Sequence, residues 1–253
     1  ESYTYLMVTL FRKMSPNSKT AMTMIKLKLM LLLLIAPLSL LSQSYQEREV
    51  EPFTQLRIFG NIHAILVTGD KPKVMIESTN TDPDNVHTKV KEGELTVRLR
   101  KNLFKDEKVI VKIAFQELNA LTTLADAEVD IETPIIRPVF YLKATSGSHV
   151  KMTIESEKLD IEAYQGGQGE IKGKTDTLNA YVNTGGILSA TDLTVQKADI
   201  KMNTGGKGEI TVQQSLNARI NTGADFSYYG IPENKKVETS LGGSVSALDE
   251  KQE

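Results

Sequence analysis

The side chains best spaced for chemistry in this sequence are four acidic residues that alternate with apolar ones. They are Asp126, Glu128, Asp130 and Glu132, with alanine, valine and isoleucine between them. Successive strand residues point to opposite faces, so we expect the four carboxylates to project from one face of a strand. Such a comb could bind a cation or act on a sugar, since glycosidases use carboxylates roughly 5 to 10 Å apart. We favour the alternative, a solvated strand face whose charges discourage aggregation.

Histidines are the next candidates, because imidazole is both a general base and a metal ligand. His63, His87 and His149 have no i, i+4 spacing and no adjacent carboxylate, so the fold would have to assemble any site. The motifs "GGQGEI" and "GGKGEI" are similar to calcium-binding β-roll repeats, but those need a nine-residue period and an aspartate where this chain has Glu170 and Glu209. We therefore predict no catalytic residue, no metal and no cofactor.

Aromatic side chains form the second candidate binding set. We expect Tyr164 and Tyr181 to project outward near Arg219, and Tyr228 and Tyr229 to cluster with Phe226 at a later corner. Exposed rings on a rigid scaffold can stack on sugars or anchor a protein partner. The alternative, which we favour, is that these rings cover the edges of the core.

An internal repeat predicts the element that must position these residues. The segment "LDIEAYQGGQGEI" (159–171) matches "ADIKMNTGGKGEI" (198–210) at an offset of 39, and the tetrad Asn-Thr-Gly-Gly occurs at 183–186 and 203–206. Aligning on Gly167, Gly186, Gly206, Ala224 and Gly243 gives steps of 19, 20, 18 and 19 residues. A period in this range indicates a solenoid. Glycine pairs are expected at its corners, where φ is positive or another coil approaches closely, with Asn183, Asn203 and Asn221 stacked beside them.

Stacking the repeats in register produces apolar columns separated by polar ones, as in strands that bury one face. The three apolar columns are Leu159, Leu178, Ala198, Leu216; Ile161, Ala180, Ile200, Ala218; and Ala163, Val182, Met202, Ile220. Nineteen residues are enough for two or three short strands and their corners. The sequence therefore predicts an all-β fold, a parallel β-helix with coils of about 19 residues.

The rest of the chain divides by composition. Residues 45–116 contain strand patterns on both sides of the turn signal at residues 69–72, and further strand patterns in "GELTVRLRK" and "KVIVKIAF". We predict that this N-terminal part caps the β-helix repeats, which we place at residues 117–248. Residues 249–253 form a charged tail. Residues 22–44 have the charged start, thirteen-residue apolar run and small-x-small site of a signal peptide, with residues 1–21 as an upstream extension.

Overall composition limits the classes of partner. A formal net charge of -2 gives no basic field for nucleic acid, and an apolar run of thirteen residues is too short to span a membrane. The absence of cysteine excludes disulfides, thiolate chemistry and lipid attachment through cysteine. We expect export to the periplasm, the cell surface or the medium.

Together these features resemble the autotransporter adhesin head (GIN) domain family of Bacteroidetes-type secreted proteins. The resemblance covers residues 47–248 and rests on the opening "FTQLRIFGNIHAILVTGD", the strand "GELTVRLRK", and glycine-centred corners such as "TSGS" and the Asn-Thr-Gly-Gly tetrads. Ala125 and Ala127 stand where glycines would be usual. The resemblance implies a right-handed, pectin-lyase-like β-helix and a role in adhesion.

Three functions follow as hypotheses. The first is a secreted, non-enzymatic binding or adhesion module for a glycan or a cell-surface protein. The second is a polysaccharide-cleaving enzyme, which would need converging carboxylates in a lateral groove, although fold alone does not transfer activity. The third is a structural envelope component that self-associates as a homo-oligomer through a lateral face or a solenoid end.

Overall fold

A computed structural model of the chain describes residues 44–78, 82–100 and 109–248. The predicted signal peptide and the charged tail lie outside the described residues. Within the described ranges the protein consists of strands, turns and one short 3-10 helix at Pro83–Asn85. The strands are β1 (Ser44–Glu49), β2 (Gln55–Phe59), β3 (Ile62–Thr68), β4 (Lys73–Ser78), β5 (Val86–Lys91), β6 (Glu94–Leu99), β7 (Val109–Phe115), β8 (Ala120–Leu124), β9 (Glu128–Ile131), β10 (Ile135–Ile136), β11 (Val139–Thr145), β12 (His149–Tyr164), β13 (Gln168–Asn183), β14 (Ile187–Met202), β15 (Lys207–Asn221), β16 (Asp225–Tyr229), β17 (Asn234–Ser240) and β18 (Ser244–Leu248).

Parallel pairing between successive coils confirms the predicted solenoid, which has about seven turns at a spacing of about 19 residues. The long strands β12 to β15 pair in order, and Leu159, Leu178, Ala198 and Leu216 are successive register partners. The β13–β14 and β14–β15 pairs shift register midway along the strands, for example between Glu170 and Gly173. The coil is therefore one 19-residue unit. The right-handed course implied by the family resemblance stays a prediction.

Two stacks of strands result, which we call the first and second ladders. The first ladder contains β6, β2, β8, β11, the second halves of β12 to β15, and β17. The second ladder contains β7, β3, β9, the first halves of β12 to β15, β16 and β18. The inward side chains of both ladders belong to one hydrophobic core.

The predicted apolar columns line this core. All twelve of their side chains are buried, with exposures of 5% or less. The alternation of large and small residues in the Ile161, Ala180, Ile200 and Ala218 column lets neighbouring coils fill one another's gaps, as close-packed interiors require. The prediction of inward columns is confirmed.

The Asn-Thr-Gly-Gly tetrad forms the corner between the two ladders. Thr184 and Gly185 have positive φ values of 48° and 71°, and a Cβ on Gly186 would lie 2.1 Å from the carbonyl oxygen of Ala163 in the preceding coil. The Gly185 N–H donates to the Thr204 carbonyl one coil later, at 3.1 Å. Both predicted reasons for glycine, left-handed backbone and close approach, therefore apply at adjacent positions.

The asparagines beside the corners form only part of the expected stack. The Asn221 amide donates to the Asn203 side-chain oxygen at 3.1 Å, and Ser240 Oγ donates to Asn221 at 2.6 Å. The Asn183 amide instead donates to the Tyr181 hydroxyl at 2.8 Å. The stack is thus broken where a tyrosine hydroxyl supplies a nearer acceptor.

The N-terminal coils are not stacked in chain order. The β2–β3 coil lies between the β6–β7 coil and the β8–β9 coil, and all of these pairings are parallel. Its corner is Gly60, with φ 101°, which divides a segment that the sequence pattern indicated as one strand. Parallel pairing therefore extends into the segment predicted as the cap.

Antiparallel strands cover the outer edge of the β6–β7 coil. β5 pairs with β6, β4 pairs with β7, and β1 pairs with β4. At the other end, every residue of β17 is exposed. None of the described segments forms a helix long and apolar enough to cross a membrane.

Candidate functional site

The acidic residues 126–132 are divided by a corner and do not form a four-residue comb. Ala125 and Asp126 have φ values of 59° and 62°, so they make the left-handed turn that glycine helps to form in later coils. Only Glu128 and Asp130 lie on the outward face of β9, since Glu132 follows the end of the strand. The prediction of four carboxylates on one strand was wrong because the pattern does not reveal this turn.

His63 gives the acidic pair a partner that the sequence did not indicate. β3 and β9 are adjacent and parallel, with His63 opposite Glu128. His63 Nε2 lies 2.7 Å from Asp130 Oδ2, and one potential ligand atom from each of His63, Glu128 and Asp130 lies within 4.8 Å of the others. The fold therefore assembles a cluster of a histidine and two carboxylates that have no such spacing in the sequence. His63 and Asp130 are 67 positions apart, so the sequence gives no sign of their contact.

Tyr164, Tyr181 and Arg219 all lie on the outward face of the first ladder, as predicted. Tyr181 belongs to a row of six register partners across six strands, which we call the lateral row. Its members are Lys143, Glu162, Tyr181, Lys201, Arg219 and Glu238. Neighbouring strands are about 4.8 Å apart, so the row extends along the solenoid axis as an evenly spaced set of side chains.

Ion pairs close both ends of the lateral row and leave its centre free. Lys143 Nζ lies 3.2 Å from Glu162, and Arg219 Nε lies 3.4 Å from Glu238. Between these pairs are Tyr181, which is 39% exposed, and Lys201, which is exposed and has no ion-pair or hydrogen-bond partner among the described residues. The row therefore presents an open ring next to an uncompensated ammonium group.

Tyr164 is a less available ring. Lys143 Nζ lies 5.1 Å from its centroid, which is a cation–π distance. Hydrogen bonding to Tyr164 and then to Glu162 raises the pKa of Lys143 to about 12. Burial, followed by the negative charge of Glu162, raises the pKa of Tyr141 to about 12 as well. These residues form a bonded cluster, so Tyr181 is the ring that is free to accept a ligand.

Tyr228 and Tyr229 do not join this surface. Both are on β16 in the second ladder, whereas Arg219 is in the first. Tyr228 is 4% exposed, its ring centroid lies 6.1 Å from that of Phe226, and its hydroxyl accepts a hydrogen bond from Lys235 at 3.2 Å. The Tyr228 ring is thus an inward core residue, which agrees with the favoured alternative that these rings cover the core and removes Tyr228 as a binding candidate; Tyr229 is half-buried.

A lateral groove that sequence reasoning missed runs along the bend in the long strands. It has a volume of about 800 Å³, and its lining includes Ile136, Glu155, Glu157, Lys174 and Asp176. Lys174 Nζ lies 2.8 Å from Glu155, so one of the three carboxylates is already paired. Glu155 and Glu157 are on β12 and Asp176 is on β13, so the acidic residues of the groove come from two coils, and their spacing in the sequence does not indicate a shared groove.

These observations define the class of protein as a β-solenoid domain with an exposed lateral surface suited to binding. The chain belongs to the family described as "Putative auto-transporter adhesin, head GIN domain", whose model matches residues 52–232. The family resemblance is thereby confirmed. No curated protein sequence is similar to this chain.

Solved structures from Bacteroides and Parabacteroides species have a similar fold. A "putative adhesin" from Bacteroides fragilis superposes with a TM-score of 0.71 at 16% identity, covering 82% of this chain and 97% of its own. A "putative adhesin" from Parabacteroides merdae gives 0.67 at 20% identity, with coverages of 81% and 95%. A "putative lipid binding protein" from Parabacteroides distasonis gives 0.62 at 20% identity, with coverages of 82% and 98%. At these identities the similarity establishes the fold.

Proposed function

We propose that the protein is a secreted, non-enzymatic binding module of the adhesin type that recognises an acidic glycan at the centre of the lateral row. The observation that carries the proposal is the pairing in register of exposed Tyr181 with unpartnered Lys201. Family membership supports a surface or extracellular location. Export by the signal peptide predicted in residues 22–44 belongs to the same proposal.

The chemistry of the two central side chains favours a sugar that carries a carboxylate or sulfate group. The Tyr181 ring provides an apolar face for a pyranose. Lys201 is its register neighbour and supplies an unpaired cation beside the ring, while the charge of Arg219 on the next strand is shared with Glu238. The main-chain ladder fixes their spacing, which lowers the entropic cost of binding.

The arrangement of carboxylates supports a function without catalysis. Glu128 and Asp130 lie on the outer surface of β9, and neither lines the lateral groove. Asp130 is bonded to His63, and of the three carboxylates in the groove Glu155 is paired with Lys174, so Glu157 and Asp176 are the pair that an enzyme would have to use. A glycosidase needs one carboxylic acid and one carboxylate placed on either side of a bound sugar.

A glycan array that includes uronic acid and sulfated polysaccharides tests the proposal, with release of reducing ends followed in the same wells. We expect binding without release, lost in Tyr181→Ala and weakened about tenfold or more in Lys201→Gln, because a bond to a charged group is removed. Tyr45→Ala and Lys207→Gln are matched controls, since both residues are exposed away from the lateral row.

The outcomes separate the hypotheses. Release of reducing ends by the wild-type protein would contradict the non-enzymatic assignment. Equal binding by neutral and acidic glycans would contradict the role of Lys201. Absence of binding to every glycan would reject the proposed ligand class.

A further inference from the structure

We propose that the outer face of β3, β9 and β12 is a site for a divalent transition-metal ion, with His63, Glu128 and Asp130 as ligands and His149 as the fourth. The first three residues already place one ligand atom each within 4.8 Å of the others. The site lies on the second ladder and shares no residue with the lateral row. The proposed metal site can therefore be tested independently of glycan binding.

Strand register places the fourth proposed ligand, His149, beside Glu128, although its ring nitrogens lie outside the group whose ligand atoms are within 4.8 Å of one another. His63 on β3 and His149 on β12 are both register partners of Glu128 on β9, so two histidines flank one glutamate in a single row. Their chain neighbours Ala64 and Val150 are fully buried, which places both imidazoles on the outward face. Asp130 lies two residues beyond Glu128 on the same face.

Two of the four proposed ligands have no competing side-chain interaction among the described residues. Neither the Glu128 carboxylate nor the His149 ring has a hydrogen bond or ion pair within the part of the chain that the structure describes. The Asp130 carboxylate bonds only to His63 among these residues. A cation would therefore displace one short hydrogen bond and no other.

Two imidazoles and two carboxylates are a ligand set that suits zinc and neighbouring first-row divalent ions, whereas calcium and magnesium prefer oxygen alone. The 2.7 Å between His63 Nε2 and Asp130 Oδ2 would have to widen to about 3.3 Å for tetrahedral zinc, given metal–ligand distances of about 2.0 to 2.2 Å. Rotation of half-exposed side chains is sufficient for this change.

The surrounding charges permit a cation. Lys112 on β7 is held 3.2 Å from Glu77, and Lys151 on β12 is the register partner of Asp130. Two carboxylates thus face one nearby unpaired ammonium group, leaving a net negative site.

Isothermal titration of the purified protein, without a polyhistidine tag and after treatment with chelator, tests the site. With ZnCl2 near pH 7.5 we expect one zinc ion per chain, and at least about tenfold weaker binding in His63→Ala and in Asp130→Asn. His149→Ala should also weaken binding. His87→Ala is the matched control, because His87 is on β5 and outside the cluster.

A second measurement guards against variants that do not fold. Cobalt in a tetrahedral site of mixed ligands absorbs visible light, so Co2+ should colour the wild-type protein and His87→Ala but not His63→Ala, with circular dichroism confirming that all three are folded. Wild-type zinc affinity in folded His63→Ala, or no saturable zinc binding by the wild type, would overturn the proposal. Wild-type affinity in His149→Ala would overturn the fourth ligand.

Discussion

Lys143 packs its ammonium group over the ring of Tyr164, 5.1 Å from the centroid, although the two residues belong to successive coils. Lys143 pairs in register with Glu162, so Tyr164 is its diagonal neighbour. The Lys143 ammonium group therefore makes both a cation–π contact with Tyr164 and an ion pair with Glu162. This cluster closes one end of the lateral row.

The cluster predicts a loss of stability at alkaline pH. The folded protein keeps the protons of Tyr141 and Lys143 up to a pKa of about 12, while in the unfolded chain they leave near pH 10. Between about pH 10 and 12 the folded state binds more protons, so the free energy of unfolding falls as the pH rises. Urea unfolding at several alkaline pH values should show this slope.

The double variant Tyr141→Phe with Lys143→Met should make that slope shallower. Lys201→Gln, a lysine variant in the same row but outside the cluster, should leave it unchanged. An unaltered slope in the double variant would assign the alkaline transition to other groups.

Alanine substitutions in the two Asn-Thr-Gly-Gly tetrads should lower the free energy of unfolding by different amounts. A Cβ on Gly186 would lie 2.1 Å from the Ala163 carbonyl oxygen, whereas a Cβ on Gly206 would meet Val182 at 3.1 Å. We expect Gly186→Ala to lower the free energy of unfolding by about 2 kcal/mol or more, and Gly206→Ala by less than about 1 kcal/mol. Chemical denaturation measures both, and equal losses would contradict the close approach.

In the core column that alternates large and small residues, substitutions in neighbouring coils should destabilise the protein in two opposite ways, either by leaving a cavity or by overfilling the core. Ile200→Ala leaves a cavity and should cost about 2 to 5 kcal/mol, while Ala180→Ile overfills the same column and should cost about 1 to 3 kcal/mol. Lys201→Ala, next to Ile200 but exposed, should change the free energy of unfolding by less than about 0.5 kcal/mol. A neutral effect of Ala180→Ile in urea unfolding would argue against tight packing there.

Binding to an acidic glycan should weaken as salt is added, because exposed cations are screened. Removing one of those cations in Lys201→Gln should reduce the dependence of affinity on salt as well as the affinity itself. Titrations at several sodium chloride concentrations measure the slope. Parallel slopes for the wild type and the variant would exclude Lys201 from direct contact with the ligand.

The repeat was predictable because each coil reuses the same local rules. Inward columns, glycine corners and a 19-residue spacing are properties of neighbouring residues, so a periodic sequence records them directly. Tyr181 and Arg219 were placed correctly for this reason, since both fall in polar columns of the repeat. Tyr228 follows the same rule, because the repeat puts it in register with Ile210, which is also buried.

The histidine–carboxylate cluster was beyond prediction for a different reason. Its residues meet only because β3 is inserted between β7 and β9, and that insertion leaves no periodic trace. The lateral groove is hidden likewise, because it forms where three coils bend. A site formed by residues from several coils thus depends on the register between neighbouring strands, which the sequence of one strand does not reveal.

The displaced position of the β2–β3 coil also sets an order of assembly. This segment precedes both of its neighbours in the chain, yet it needs β6 and β7 on one side and β8 and β9 on the other. During synthesis it must wait for some sixty later residues, while each coil after β11 can dock as soon as it emerges. We therefore expect folding of the regular end to propagate from one coil to the next, and the irregular end to form only when all of its strands are present.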